Sequence, residues 1–155
     1  SYSVALRGSG GMAKAVVAAL RHCNFSNVTI FSRNEATGRA LAEKYGFTWR
    51  PEQDLTAEST FDFLINVTPI GMAGGNEDQL SFLIKVISSA QAIFDVIATP
   101  AETPLLKHGK SAGKILITGL EIMALQAAIQ FKLYTGITLT DDQVARAAEF
   151  SRLSQ

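Results

Sequence analysis

The sequence predicts an α/β protein, a doubly wound parallel sheet with helices on both faces. Three observations carry that prediction. Short apolar or β-branched runs alternate along the whole chain with longer segments of helical period, the pattern of strands joined by crossover helices. The first run, Val4-Ala5-Leu6, leads through a glycine turn, Gly8-Ser9-Gly10-Gly11-Met12-Ala13, into an apolar helical stretch. And 155 residues, 47% apolar and 18% charged, suffice for one globular domain with a good core.

The elements follow in order. Val4-Ala5-Leu6 is the first strand and residues 11–24 the first helix. Residues 27–32, short and β-branched, are the second strand. Residues 35–45 form an amphipathic helix, with Leu41 and Tyr45 one turn apart and Gly46 as its stop. Residues 47–49 make a short third strand and residues 61–66 a buried fourth, with a helix expected over 80–88. Residues 92–96 are the fifth strand. Thr103 then caps a helix that has Pro104 in its first turn and runs to residue 112. Residues 114–118 are the sixth strand, and a long helix over 120–134 ends before Gly136. Thr140 caps the last helix, 141–153, with Asp141 and Asp142 in its first turn. No repeat, linker or low-complexity tract interrupts the series.

Six strands so arranged suggest the order 3-2-1-4-5-6 of a Rossmann-type sheet. Strands one and four are then neighbours, and the loops leaving them, residues 8–13 and 66–72, face each other across one ligand. The glycine turn names its chemistry. Gly8 permits the tight turn, Gly10 lets backbone approach a pyrophosphate, and small Ala13 lets helix and strand pack closely. The N–H groups and dipole of the helix start hold the anion. An NAD site places a carboxylate at the end of the second strand to accept from the ribose 2′-hydroxyl. Here the chain reads Phe31-Ser32-Arg33-Asn34. A guanidinium in that place attracts a 2′-phosphate, with Ser32 and Asn34 as further donors, so NADP(H) is expected over NAD(H).

Composition narrows the rest. Fourteen basic and fourteen acidic side chains give no net charge and no basic run able to follow nucleic acid. Cys23 stands alone, which excludes an internal disulfide and fits a reducing, cytoplasmic setting. No apolar run approaches a membrane span.

Three more segments line up behind the glycine turn and the Ser-Arg-Asn strand end. Asn66-Val67-Thr68-Pro69-Ile70-Gly71-Met72 closes the fourth strand, residues 95–106 follow the fifth, and residues 119–128 open the long helix. Together they resemble, over nearly the whole chain, the C-terminal NADP-binding domain of shikimate dehydrogenases. The resemblance implies reduction of 3-dehydroshikimate, or of a related cyclic hydroxy-keto acid, with NADPH. It implies that Gly8, Ser9, Gly10, Gly11, Met12 and Ala13 cradle the pyrophosphate. Ser32, Arg33 and Asn34 match the family's Asn-Arg-Thr at the 2′-phosphate. Asn66, Val67 and Thr68, followed by Pro69, match Asn-Ala-Thr beside the nicotinamide half, and Val96 and Gly119 fall near the ring. Gln126 matches the glutamine that reaches the substrate's hydroxyls, and an amide can both donate to and accept from a diol.

The departures point to the shikimate dehydrogenase-like branch, whose activity on shikimate is poor. Ala98 stands where the family has a substrate-side tyrosine, and Glu121-Ile122 where it has Gly-Met. The family's proton-handling Lys and Asp lie in an N-terminal domain, for which there is no room ahead of the first strand. Residues 1–155 are therefore expected to be the NADP-binding domain alone. Lys85, Lys110, His22 and His108 read as solvated or structural, so no catalytic residue and no metal ligand is assigned. The alternative is a stand-alone NADPH-binding or sensing module without catalysis. A glutamyl-tRNA reductase domain fits less well, given Gln126-Ala127-Ala128 and Thr103-Pro104-Leu105-Leu106. The helix over 120–134 is apolar nearly all round and expects burial on two sides, so without a partner domain self-association is expected.

Overall fold

Strands β1 (Ser3–Arg7), β2 (Asn27–Ser32), β3 (Thr48–Pro51), β4 (Phe63–Asn66), β5 (Ala92–Asp95) and β6 (Ile115–Thr118) alternate with helices α1 (Gly11–His22), α2 (Glu35–Tyr45), α3 (Ile84–Ser89), α4 (Pro104–Ser111) and α5 (Gly119–Thr135). Helix α6 (Asp141–Leu153) follows. A computed structural model describes residues 2–153. The strands form one parallel sheet in the order β3-β2-β1-β4-β5-β6, as the alternation predicts.

Both faces of the sheet are covered, which is why its strands are nearly continuous in apolar residues. Successive side chains point to opposite faces. Val4 and Leu6 join Val17, Leu20 and Leu41 under α1 and α2. Ala5, between them, joins Val86, Ile87 and Leu105 under α3 and α4. Ile65 and Leu64 divide in the same way on β4. The helix signals read from the sequence hold. Asn34 caps α2 by accepting from Thr37 N at 3.0 Å, and Gly46 ends it at φ 68°. Thr103 caps α4, with Pro104 in the first turn.

Several boundaries shift by a few residues, and three of the shifts have a local reason. Helix α3 starts at Ile84, because residues 80–83 carry Ser81 and Phe82 into the interior and Leu83 is extended. Strand β4 starts at Phe63, because Asp62 is pinned sideways by Ser3, whose N–H and hydroxyl donate to its carboxylate at 2.8 and 2.7 Å. Strand β3 runs on to Pro51, which the sheet edge tolerates because no ladder donor is needed on the outer side. Helix α5 buries Leu120 but leaves Met123, Leu125, Ile129, Leu133 and Tyr134 at least half exposed. Among the described residues its expected burial on two sides is not met.

Candidate cofactor site

The strand ends set the site. Arg7 pairs in register with Phe31 and Asn66, Asn66 with Asp95, and Asp95 with Thr118, so all five stand at one edge of the sheet. Backbone bonds carry the ladder one residue further. Gly8 N donates to Phe31 O at 2.8 Å, Val67 N to Arg7 O at 3.0 Å and Val96 N to Asn66 O at 3.2 Å. The chain leaving β1 turns to α1 on one face, and the chain leaving β4 turns to α3 on the other, which opens a crevice between them. A cleft of about 590 Å³ lies there, lined by Gly8, Ser9, Gly10, Ser32, Arg33, Asn34, Glu52, Val67, Thr68 and Pro69.

One wall is the glycine turn. Gly8 has φ +121°, and a Cβ on it would stand 3.0 Å from both Cγ2 and O of Val67, so the two loops approach as closely as backbone allows. At Gly10 and Gly11 a Cβ would meet nothing within 4 Å. Gly10 is the N-cap of α1 and supplies no side-chain cap, and the first turn holds no acid. The leading N–H groups of this helix therefore have no side-chain acceptor, and a positive dipole end stands behind them. Ala13 is fully buried below, at the helix–strand contact. This is the donor set and the clearance that a pyrophosphate fits.

Arg33 is exposed and makes no hydrogen bond or ion pair among the described residues. Its acidic neighbours are already matched: Glu52, in the cleft, lies 3.2 Å from Arg7, and Glu35 lies 2.6 Å from Arg39. The guanidinium is left for an outside anion. Of Ser32 and Asn34, both expected as donors to that anion, the Ser32 hydroxyl has other work, while the exposed Asn34 stays in the cleft lining. The Ser32 hydroxyl, 2% exposed, accepts from Trp49 Nε1 at 2.9 Å and donates to Asn34 O at 3.0 Å. The Asn34 side-chain oxygen caps α2. These two side chains fix the backbone that presents Arg33.

The opposite wall corrects the reading of Asn66. It does not line the cleft. Fully buried, it donates to Ile70 O at 3.1 Å and Asp95 Oδ1 at 3.0 Å, and accepts from Thr68 N at 3.1 Å and Thr68 Oγ1 at 2.6 Å. Asp95 also accepts from Ile97 N at 3.2 Å and Thr103 Oγ1 at 2.7 Å. Burial pushes the Asp95 carboxyl above its ordinary value of 3.8, against the pull of those hydrogen bonds. Val67, Thr68 and Pro69 are held from behind by this network and form the wall itself.

Val96 and Gly119, expected near the nicotinamide ring, lie against each other: a Cβ on Gly119 would stand 2.5 Å from Val96 O. Glu121 closes a capping box, accepting from Thr118 N at 2.7 Å while Thr118 accepts from Glu121 N at 3.3 Å, so its carboxylate is engaged at the helix start. Gln126 is exposed and lies outside the cleft. With Met12 it lines a separate apolar groove of about 490 Å³ between α1 and α5. The sequence reading missed Gly38. A Cβ there would collide with the Ser32 hydroxyl and the Trp49 indole, so only glycine lets α2 settle on β2 and β3. A glycine inside an otherwise good helical pattern was the available signal.

No family model matches the chain. It is 43% identical over 150 residues to the shikimate dehydrogenase-like protein of Haemophilus influenzae, across 96% of this chain and 54% of that one. A solved shikimate 5-dehydrogenase-like protein superposes with a TM-score of 0.90 at 42% identity, over 98% of this chain and 56% of the other. Quinate dehydrogenase from Corynebacterium glutamicum in complex with NAD gives 0.82 at 25% identity, over 99% and 55%. Shikimate 5-dehydrogenase from Thermus thermophilus in complex with NADP(H) and shikimate gives 0.80 at 26%, over 96% and 55%. The chain spans about half the length of the curated relatives it matches.

Proposed function

The chain belongs to the shikimate dehydrogenase family, and on that footing we propose that it is the NADP(H)-holding domain of a shikimate dehydrogenase-like oxidoreductase. One observation carries the cofactor assignment: Arg33, unpaired, stands after β2 at the mouth of a cleft whose own carboxylate, Glu52, is matched by Arg7. An acidic residue in that place would repel a 2′-phosphate, and a guanidinium receives it as a fork. One similar fold carries NAD and another NADP(H), so the sheet itself does not choose. The choice rests on the side chains after β2.

When bound, NADPH supplies hydride to the carbonyl of a cyclic hydroxy-keto acid of the 3-dehydroshikimate kind. The residues of this chain hold the cofactor and exclude water around it. Gly8 to Ala13 present backbone donors to the pyrophosphate, Arg33 takes the 2′-phosphate, and Val67, Thr68 and Pro69 wall the other side. Val96 and Gly119 flank the nicotinamide end. Gln126 meets the substrate where a second domain closes over the groove it shares with Met12. That domain supplies the acid for proton transfer and lies outside these residues. The half-length match to the relatives and the exposed apolar side of α5 support this division. Without that half the chain is expected to self-associate through the exposed apolar side of α5. Among the described residues no helix is long and apolar enough to cross a membrane, and a cytoplasmic setting accords with the single free Cys23.

The test is a paired titration with NADPH and NADH. The unaltered protein is expected to favour NADPH, and Arg33→Asp to lose that preference. A variant that still prefers NADPH overturns the assignment.

A further inference from the structure

We propose that Ser9 is a second donor to the phosphate received by Arg33, and that Thr37 orients the Ser9 hydroxyl for that task. The inference rests on the NADP(H) reading above and extends it to two side chains outside the strand-end triplet.

Ser9 lies between Gly8 and Gly10 and lines the cleft together with Arg33. Its Oγ is 2.7 Å from Oγ1 of Thr37, a residue 28 positions away in the first turn of α2, and either oxygen can donate. Thr37 does not line the cleft. It lines the adjoining groove between α1 and α2, with Ser9, Lys14 and Lys44. The start of α2 is held in place: Thr37 N donates to Asn34 Oδ1 at 3.0 Å, and Gly38, the next residue, is wedged against Ser32 and Trp49. The Thr37 hydroxyl also lies 3.3 Å from Asn34 O, to which it can donate, but that carbonyl already accepts from Ser32 Oγ at 3.0 Å and Gly38 N at 3.1 Å, so the Thr37 proton can turn to Ser9 without leaving the carbonyl unserved. The Thr37 hydroxyl is thus a fixed point, and Ser9 hangs from it.

The polarity of the pair then matters. A hydroxyl has one proton and two lone pairs. When Ser9 donates to Thr37, it turns lone pairs to the cleft and repels an anion. When Thr37 donates to Ser9, the Ser9 proton is released toward the cleft, and a hydroxyl that accepts one bond donates a stronger one. A phosphate oxygen in the cleft selects the second arrangement. Ser9 faces the start of α2, the side of the glycine turn where Arg33 emerges. Ser9 and Arg33 line the same cleft, and on that ground Ser9 is assigned to the phosphate that Arg33 takes and not to the pyrophosphate on the leading N–H groups of α1. Lys14 and Lys44 in the groove behind add positive field of the same sense.

The test compares 2′,5′-ADP with 5′-AMP, and NADPH with NADH, on the unaltered protein, Ser9→Ala, Thr37→Val, Thr37→Ser, the double variant and Arg33→Asp. Ser9→Ala and Thr37→Val are each expected to weaken 2′,5′-ADP and NADPH by about tenfold, the size of one hydroxyl bond to a charged group. Binding of 5′-AMP and NADH stays within about twofold, the scatter of an unaffected site. Because Thr37 acts through Ser9, the double variant is no weaker than Ser9→Ala, and Thr37→Ser retains the affinity of the parent. Equal weakening of all four ligands would place Ser9 at the pyrophosphate and overturn the proposal, as would unchanged binding. A selective loss in Ser9→Ala without one in Thr37→Val overturns the role of Thr37. Preference retained in Arg33→Asp instead removes the cofactor reading itself, whatever Ser9 does.

Discussion

On the β1–β2 side of the cleft the chain leaves donors open, whereas on the β4–β5 side it closes them on one another. The first wall has an uncapped helix start, an unpaired Arg33 and glycines with clear space before them. The second has buried Asn66, Asp95 and Thr103 and half-buried Thr68 in one hydrogen-bonded set. The difference teaches how a site divides its labour. Binding needs polar groups whose partner is missing, and those are tolerated only where water can reach them before the ligand arrives. A wall that fixes ligand position needs the reverse, polar groups satisfied so completely that the backbone cannot drift.

The comparison can be broken on either side. The largest effect is expected from Gly38→Val, which drives a branched side chain into Ser32 and Trp49. It should cost about 3 kcal/mol in a urea unfolding curve, at the upper end of overpacking effects. A loss below about 1 kcal/mol would show that α2 can lift off the sheet without harm to the first wall. Next comes Arg33→Asp. It should weaken NADPH by roughly 100-fold, two powers of ten at 1.4 kcal/mol each. Stability should stay within about 0.5 kcal/mol, as for any solvated surface position.

Asn66→Ala acts the other way round. It removes four hydrogen bonds and leaves Asp95 and Ile70 O short of a donor. A loss of about 2 kcal/mol in stability is expected. Cofactor binding by the folded fraction should fall only as far as Val67 and Thr68 shift. Equal effects of Arg33→Asp and Asn66→Ala on NADPH affinity would erase the distinction between the walls.

The smallest effect is a pH dependence carried by Asp95. Its folded value is raised above 3.8 by burial, so the folded state binds the proton more tightly than the unfolded chain does. Stability therefore rises as pH falls through the folded value and levels off below about 4, the unfolded value. Asp62 has the opposite sign. Its carboxyl is lowered by hydrogen bonds from Ser3, so the stability it lends is present above 3.8 and is lost as pH falls through its folded value. Asp95→Asn should remove the gain on mild acidification and leave the loss in strong acid untouched. Urea midpoints measured from pH 7 down to pH 3, across both ordinary carboxylate values, read out both signs.

Much of the site was legible in the linear order. Gly8, Gly10 and Ala13 declare themselves because a turn between strand and helix admits few side chains. Arg33 declares itself by the charge it puts where a carboxylate is usual. Asn66 and Ser32 stand at the strand ends where they are expected, but their side chains bond within the protein. A sequence shows that an amide or hydroxyl stands at a strand end, but not which donors stand within 3 Å of it. Gln126 is read from its resemblance to a substrate-side glutamine, but in the fold it lines the groove between α1 and α5, apart from the cleft. Ser9 and Thr37 are 28 residues apart, and no local pattern links them.

The order of elements, the sheet they make and the sign of the charge after β2 follow from residues 1–155 read in line. Those follow from periodicity, chain connectivity and residue type, which are local properties. Which polar groups remain open and which are satisfied is set by the folded arrangement. Hydrogen bonding acts over about 3 Å between atoms that the chain brings together from anywhere along its length.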